Sequence, residues 1–304
     1  MSQGIAAHAG YEIGAVQDWP PLCDPELLAR LRLPDQQLHA HLAPRLARLA
    51  PRACSPALLE RALSYPWDRP TGAFLLRNGR VHALDADAQA TRRAPRDELA
   101  RLRRPPRLPL LAIGSNAAPS VLAAKLAPLG DEDRVVLVLS GRLRDFDIAP
   151  SAHLAVYGAM PATICPSPGT AVAAAILWVS PRQLQRLAQT ERSYALGRLR
   201  ARFVPDGVFG AVDAMLAFVS RFGRFCPDGE DLALAAVPAR GRRARACTQA
   251  ELLEMLAQRV IGPGAGAPEL LREACRDFAS LWTRVLTCAP GEPLHCADFE
   301  RYPA

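Results

Sequence analysis

Two stretches of the 304-residue chain carry residue types that could do chemistry. The first is Gly114-Ser115-Asn116, which follows the apolar run of residues 108–113 and precedes Pro119. An apolar run of this length reads as a short buried strand. Proline suits a first helical turn, where its missing N–H bonds nothing. A strand that breaks at glycine and passes into a helix leaves backbone N–H groups unpaired and pointing one way. Such a cradle suits a carboxylate, a phosphate or a developing oxyanion. The same spacing also fits an ordinary strand-to-helix turn.

The second feature is a single acid, Glu191. Ser180-Pro181-Arg182-Gln183 has the form of a capping box, with Ser at the cap and Gln at the third helical position. Leu184, Leu187 and Ala188 then mark one face, and the 3.6-residue period places Glu191 next on it. A carboxylate on an apolar face is costly without partners. Near a helix C-terminus the macrodipole also opposes its charge. Both effects raise a glutamate pKa toward neutrality, where a general acid/base works best. The alternative is a frayed last turn that releases Glu191 to solvent.

Positioning these groups falls to the elements around them. Asp24-Pro25 and Ser55-Pro56 each pair a capping residue with a first-turn proline, and leucines follow both at helical spacing. Leu38, Leu42, Leu46 and Leu49 continue the helical period, so the first 65 residues read as a small helical array. Asn78-Gly79 between two apolar-rich runs is a hairpin signal. Residues 91–107 are rich in arginine and proline and read as a solvated helix or linker that marks the domain boundary. The expected organisation is therefore residues 1–105, a helical region with a hairpin and an Arg-rich linker, followed by a second domain over residues 106–304.

In that second region, strands are expected over residues 135–146, 154–157 and 171–179, with a proline-rich turn at residues 165–169. Alternation of Leu199, Ala201 and Phe203 with Arg198, Arg200 and Arg202 predicts a half-exposed strand, and residues 212–219 return beside it. Thr248 to Glu251 is a second capping box, residues 268–286 read as one last amphipathic helix, and the final eighteen residues read as a surface tail.

Half of the residues are hydrophobic, a globular composition. No stretch of about 18 uncharged apolar residues suggests a membrane span. The first twenty residues lack a basic segment followed by an apolar one, so a cytoplasmic protein without a signal peptide is expected. The net charge is +7, almost all of it from arginine, with Lys125 the only lysine. The arginines are spread widely and lack interleaved aromatics, which argues against nucleic acid as a partner. None of the eight cysteines forms a C-x-x-C pair, and the nearest approach to a ligand cluster is Cys288, His295 and Cys296. Zinc sites show tighter pairs, so no metal is assigned.

The ordered set of motifs resembles one known family. Gly114-Ser115-Asn116 after an apolar strand looks like the Y-G-S-N loop of the gamma-glutamylcyclotransferase-like fold. Residues 157–164 (YGAMPATI), the Pro-Ser-Pro-Gly of 166–169 and the following apolar strand are similar to that family's middle section. Leu187-Ala-Gln-Thr-Glu191 with Tyr194 downstream resembles its L-D-x-x-E segment. The likeness covers about residues 108–220. It departs from the pattern at Ile113, where the family has tyrosine, and at Ala188, where aspartate is common.

The resemblance implies an α+β fold, a small mixed barrel-like sheet with flanking helices, joined here to the mainly helical N-terminal region. It also implies cyclisation of a γ-glutamyl amide to 5-oxoproline with release of an amine or amino acid. In that reading Glu191 is the catalytic acid/base, Ile113, Gly114, Ser115 and Asn116 hold the γ-glutamyl end, Tyr194 lines the pocket, and no cofactor is needed. The competing expectation is a non-catalytic module on the same fold that binds a small molecule or a protein.

Overall fold

The computed structural model describes residues 19–84, 102, 107–207 and 209–303. The first eighteen residues and most of the Arg-rich linker, with the expected boundary near residue 105, lie outside the described residues.

Two long antiparallel strands dominate the architecture, β4 (Val135–Pro150) and β5 (Ala162–Val179), paired along almost their whole length. Three shorter strands complete a closed barrel: β3 (Leu108–Ala112), β6 (Tyr194–Pro205) and β7 (Val212–Ser220). Its order is β6-β7-β3-β5-β4 and back to β6. The β3–β7 pair is parallel and the others are antiparallel, so the barrel is mixed. Closure occurs where Gly141 of β4 meets Pro205 of β6. A Cβ at Gly141 would lie 2.3 Å from the Val204 carbonyl oxygen, so only glycine lets the backbones approach.

The barrel carries additions at several edges. The hairpin β1 (Ala73–Arg77) and β2 (Arg80–Ala83) joins β4 through β1, and turns at Asn78-Gly79, both with positive φ. Ala73 and Leu75 face one core cluster, Phe74 and Leu76 the other. Strand β9 (Ala239–Arg240) pairs with β5, and β8 (Leu232–Leu234) with β10 (Arg245–Cys247) forms a separate two-stranded sheet.

Eight helices surround these strands among the described residues. Helices α1 (Pro25–Arg32), α4 (Pro119–Leu126) and α5 (Pro181–Thr190) cover the outer face of the sheet, burying Leu27, Leu122, Leu126, Leu184 and Leu187. Helices α2 (Asp35–Leu46), α3 (Pro56–Leu63), α6 (Gln249–Val260), α7 (Ala267–Arg276) and α8 (Phe278–Cys288) pack with the barrel interior in a second cluster. The predicted caps are present. Asp24 accepts from the Glu26 and Leu27 amides, Ser55 accepts from Leu58, and Ser180 and Thr248 head complete capping boxes.

Four expectations need correction. Residues 154–157 form no strand; they belong to a looped connection between β4 and β5. The proline-rich turn at 165–169 does not end a strand. Phe146 pairs with both Pro166 and Ala171, so the intervening residues loop out as a wide bulge while β5 continues. The last amphipathic helix is two, broken at Asp277, whose φ of −150° leaves the helix and whose side chain caps α8 at Ser280. The C-terminal segment is no free tail. Phe299–Arg301 forms β11 on the edge of β6, the Tyr302 hydroxyl donates to the Pro20 carbonyl at 3.0 Å, and Arg301 pairs with Asp35. A three-residue edge strand carries too little periodicity to be seen in sequence.

No helix among the described residues is long and apolar enough to cross a membrane.

Candidate active site

Glu191 is the cap residue that ends α5. Its amide still donates to the Leu187 carbonyl at 3.1 Å, but its backbone has left helical geometry (φ −88°, ψ 62°). The frayed turn therefore exists, yet the side chain stays inside, with 13% of its surface exposed. Burial at this end of a helix would be costly for an acid. Two cations offset it. The Arg30 guanidinium from α1 donates to the carbonyls of Ala188 at 2.7 Å and of Glu191 and Arg192 at 3.1 Å, satisfying the end of α5. The Lys125 ammonium from α4 lies 2.5 Å from Glu191 Oε1, a charge-assisted bond.

Asn116 closes the arrangement. Its Nδ2 donates to the same Glu191 oxygen at 3.0 Å, and its Oδ1 accepts from Lys125 Nζ at 2.8 Å. Amide, ammonium and carboxylate thus form one three-membered network at the Gly114 turn.

The turn is tighter than its sequence suggests. Of the four amides that follow Gly114, residues 115–118, those of Ala117 and Ala118 donate to the Gly114 and Ser115 carbonyls at 3.0 Å and close a 3₁₀ turn. The Ser115 amide faces the hydroxyl of Tyr65. That hydroxyl also accepts from the Ala162 amide at 2.9 Å. A Cβ at Gly114 would lie 2.3 Å from it, so Gly114 is required by the tyrosine from the N-terminal region. The Asn116 amide is the remaining backbone donor of the four.

These groups open onto a cavity of about 440 Å³. Ile113, Gly114, Ser115, Asn116, Glu191 and Tyr194 all line it, so the structure brings together the six residues that the family resemblance placed at the site. Ile113 is buried, and its carbonyl accepts from Arg69 at 3.1 Å. The Tyr194 hydroxyl donates to the Ala162 carbonyl at 3.0 Å, so Tyr65 and Tyr194 hold the two neighbouring peptide groups of one residue. Burial pushes the Tyr65 hydroxyl up to about 12, and burial with neighbouring phenols and Glu191 lifts Tyr157 and Tyr194 well above the usual value. All three are neutral donors at physiological pH. Tyr65 and Tyr157 stack with centroids 5.8 Å apart, and Trp67 packs edge-on against both.

Lys125, Tyr65, Trp67, Tyr157 and His153 were not assigned to the site from sequence. A signal existed for Lys125, the single lysine in an arginine-rich chain. His153 lines the cavity, but burial holds its imidazole down to about 3, and Nδ1 is 2.7 Å from the Ser151 hydroxyl. It is neutral at physiological pH, with one ring N–H and no positive charge. Arg198, Arg200 and Arg202 lie on the outer side of β6 in ion pairs with Glu300 and Asp213, outside the cavity lining.

Among the described residues, the group of potential metal ligands brought within reach of one another is Cys226, Asp231 and Glu292, without Cys288, His295 or Cys296. Arg224 is paired with both of its carboxylates.

No family model and no curated protein matches the chain.

Proposed function

We propose that the protein is a gamma-glutamylcyclotransferase-like enzyme that converts a γ-glutamyl amide to 5-oxoproline and releases an amine or amino acid. The observation that carries this reading is the bond between Glu191 and Asn116, which sets a carboxylate against the Gly114 turn in the wall of one cavity. In the proposed reaction the substrate α-amine attacks its own γ-carbonyl. The two reacting groups are already tethered, which removes much of the entropic barrier. Glu191 takes the proton from the attacking nitrogen. The tetrahedral oxyanion is met by the Asn116 backbone N–H and by the hydroxyls of Tyr65 and Tyr157, the Tyr194 hydroxyl being committed to the Ala162 carbonyl. As the amide C–N bond breaks, Glu191 returns its proton to the leaving nitrogen. The chemistry so written draws on no cofactor.

The test is a screen of γ-glutamyl compounds for 5-oxoproline release, repeated with Glu191→Gln. A parent that releases product and a folded variant that does not support the reading. A variant as active as the parent overturns it.

A second reading, a binding module on the same barrel, has its own observation. The Glu191 carboxylate and the Asn116 side chain already have partners within the protein. Ligand binding in the cavity without amine release from any γ-glutamyl compound would favour it.

A further inference from the structure

A second cavity, of about 350 Å³, opens elsewhere on the barrel, between the segment leading to β1 and the closure of β4 on β6. Two guanidinium groups line it, Arg69 and Arg142. Neither has an ion-pair partner among the described residues. Arg69 gives one N–H to the Ile113 carbonyl. Arg142 is more unusual, because its Nη1 is buried and has no hydrogen-bond partner. A buried guanidinium nitrogen left unpaired is costly, and such groups in native proteins point to something that completes them. The planar fork of arginine matches a carboxylate or a phosphate.

The rest of the lining decides between these. Phe74, Val138, Ala173 and Pro238 supply apolar wall, while Asp68 and Asp206 line the cavity as exposed carboxylates. Acidic groups at the rim oppose a doubly charged phosphate far more than a single negative charge. Apolar wall rewards a hydrocarbon body.

We propose that this cavity binds a small organic monocarboxylate with an apolar body, its carboxylate on Arg142 and Arg69. The site is separate from the Glu191 cavity and does not depend on the reaction assigned there. Trp67 lines both cavities, and Arg69 holds the Ile113 carbonyl just before the Gly114 turn, so occupancy would be felt at the turn.

The experiment is calorimetric titration of the full chain with 4-methylpentanoate, L-leucine and inorganic phosphate, using the parent, Arg142→Gln and Ala173→Leu. Ala173 pairs directly across from Arg142 on β5, is only partly buried and lines the cavity, so a larger side chain there intrudes on the site without removing an arginine. It guards against an Arg142 variant that fails to fold, which a thermal melt would reveal. Saturable binding of either carboxylate, weakened about tenfold or more in each folded variant, ~1.4 kcal/mol, is the expected result. Binding of leucine alone would add an ammonium contact at the rim aspartates. Phosphate binding alone, no saturable binding near ~10 mM carboxylate, or binding untouched by both substitutions overturns the proposal.

Discussion

Asn116 and Glu191 are 75 positions apart in the chain and share a 3.0 Å hydrogen bond, with Lys125 bonded to both. The acid is therefore held from three directions: by the turn through Asn116, by α4 through Lys125, and by α1 through the Arg30 cap on its helix end. Each support can be removed separately.

Removing the acid tests the chemistry. Glu191→Gln keeps the size and one acceptor oxygen but cannot shuttle a proton. Turnover should fall about 10²- to 10⁴-fold, the usual contribution of a general acid/base. Lys125→Met leaves the carboxylate without its cation, and a loss of about tenfold or more is expected from one charge-assisted bond. Rates of 5-oxoproline release from a common substrate measure both.

Removing the helix cap tests positioning. Arg30→Met strips three carbonyls of their donor, in a place where burial already lowers the arginine pKa to about 10. A loss of about 3 kcal/mol or more in urea unfolding is expected, since hydrogen bonds to a charged group contribute a net ~1.5–3 kcal/mol each and three are lost. The turnover number should fall further than the Michaelis constant rises, because the displaced group is Glu191.

Gly114 and Tyr65 should couple. Gly114→Ala places a methyl 2.3 Å from the Tyr65 hydroxyl and 3.1 Å from Ala162 Cβ, and overpacking of this kind costs about 1–3 kcal/mol. Tyr65→Phe alone strands the buried Ala162 amide, costing about 1–3 kcal/mol. The double variant should be more stable than the sum of the two losses, because the phenylalanine makes room for the methyl. Strict additivity in unfolding free energy would show that the hydroxyl is not what excludes a side chain at position 114.

His153 should make the protein acid-sensitive. Its imidazole is held down to about 3 by burial, against about 6.5 in an unfolded chain. Between these values the unfolded chain binds a proton that the native protein refuses. Stability is therefore full above about pH 6.5 and falls toward pH 3, by about 1.4 kcal/mol per pH unit from this group. His153→Phe, which cannot titrate, should flatten that part of the profile in urea melts run across the acid range. An unchanged slope would assign the acid sensitivity to carboxylates.

The boundaries of many elements were legible in the sequence because they depend on neighbouring residues. Caps at Asp24, Ser55, Ser180 and Thr248, the Asn78-Gly79 hairpin, and the inward face of α5 all rest on spacings of a few positions. The break at Asp277 was hidden, since the apolar period runs on across it. Edge strand β11 was hidden too, because three residues have no period to read.

The chain by itself determined that an acid at position 191 would follow an apolar helical face and that a glycine turn would follow β3. Only the tertiary structure decided which way the acid turned and what met it there. Its partners come from α1, α4 and the Gly114 turn, and Tyr65 enters from a region with no local link to any of them. Local periodicity reports which side of a helix is buried. It carries no information about the charges waiting on the other side of the contact, and those set whether a buried acid is a liability or a working group.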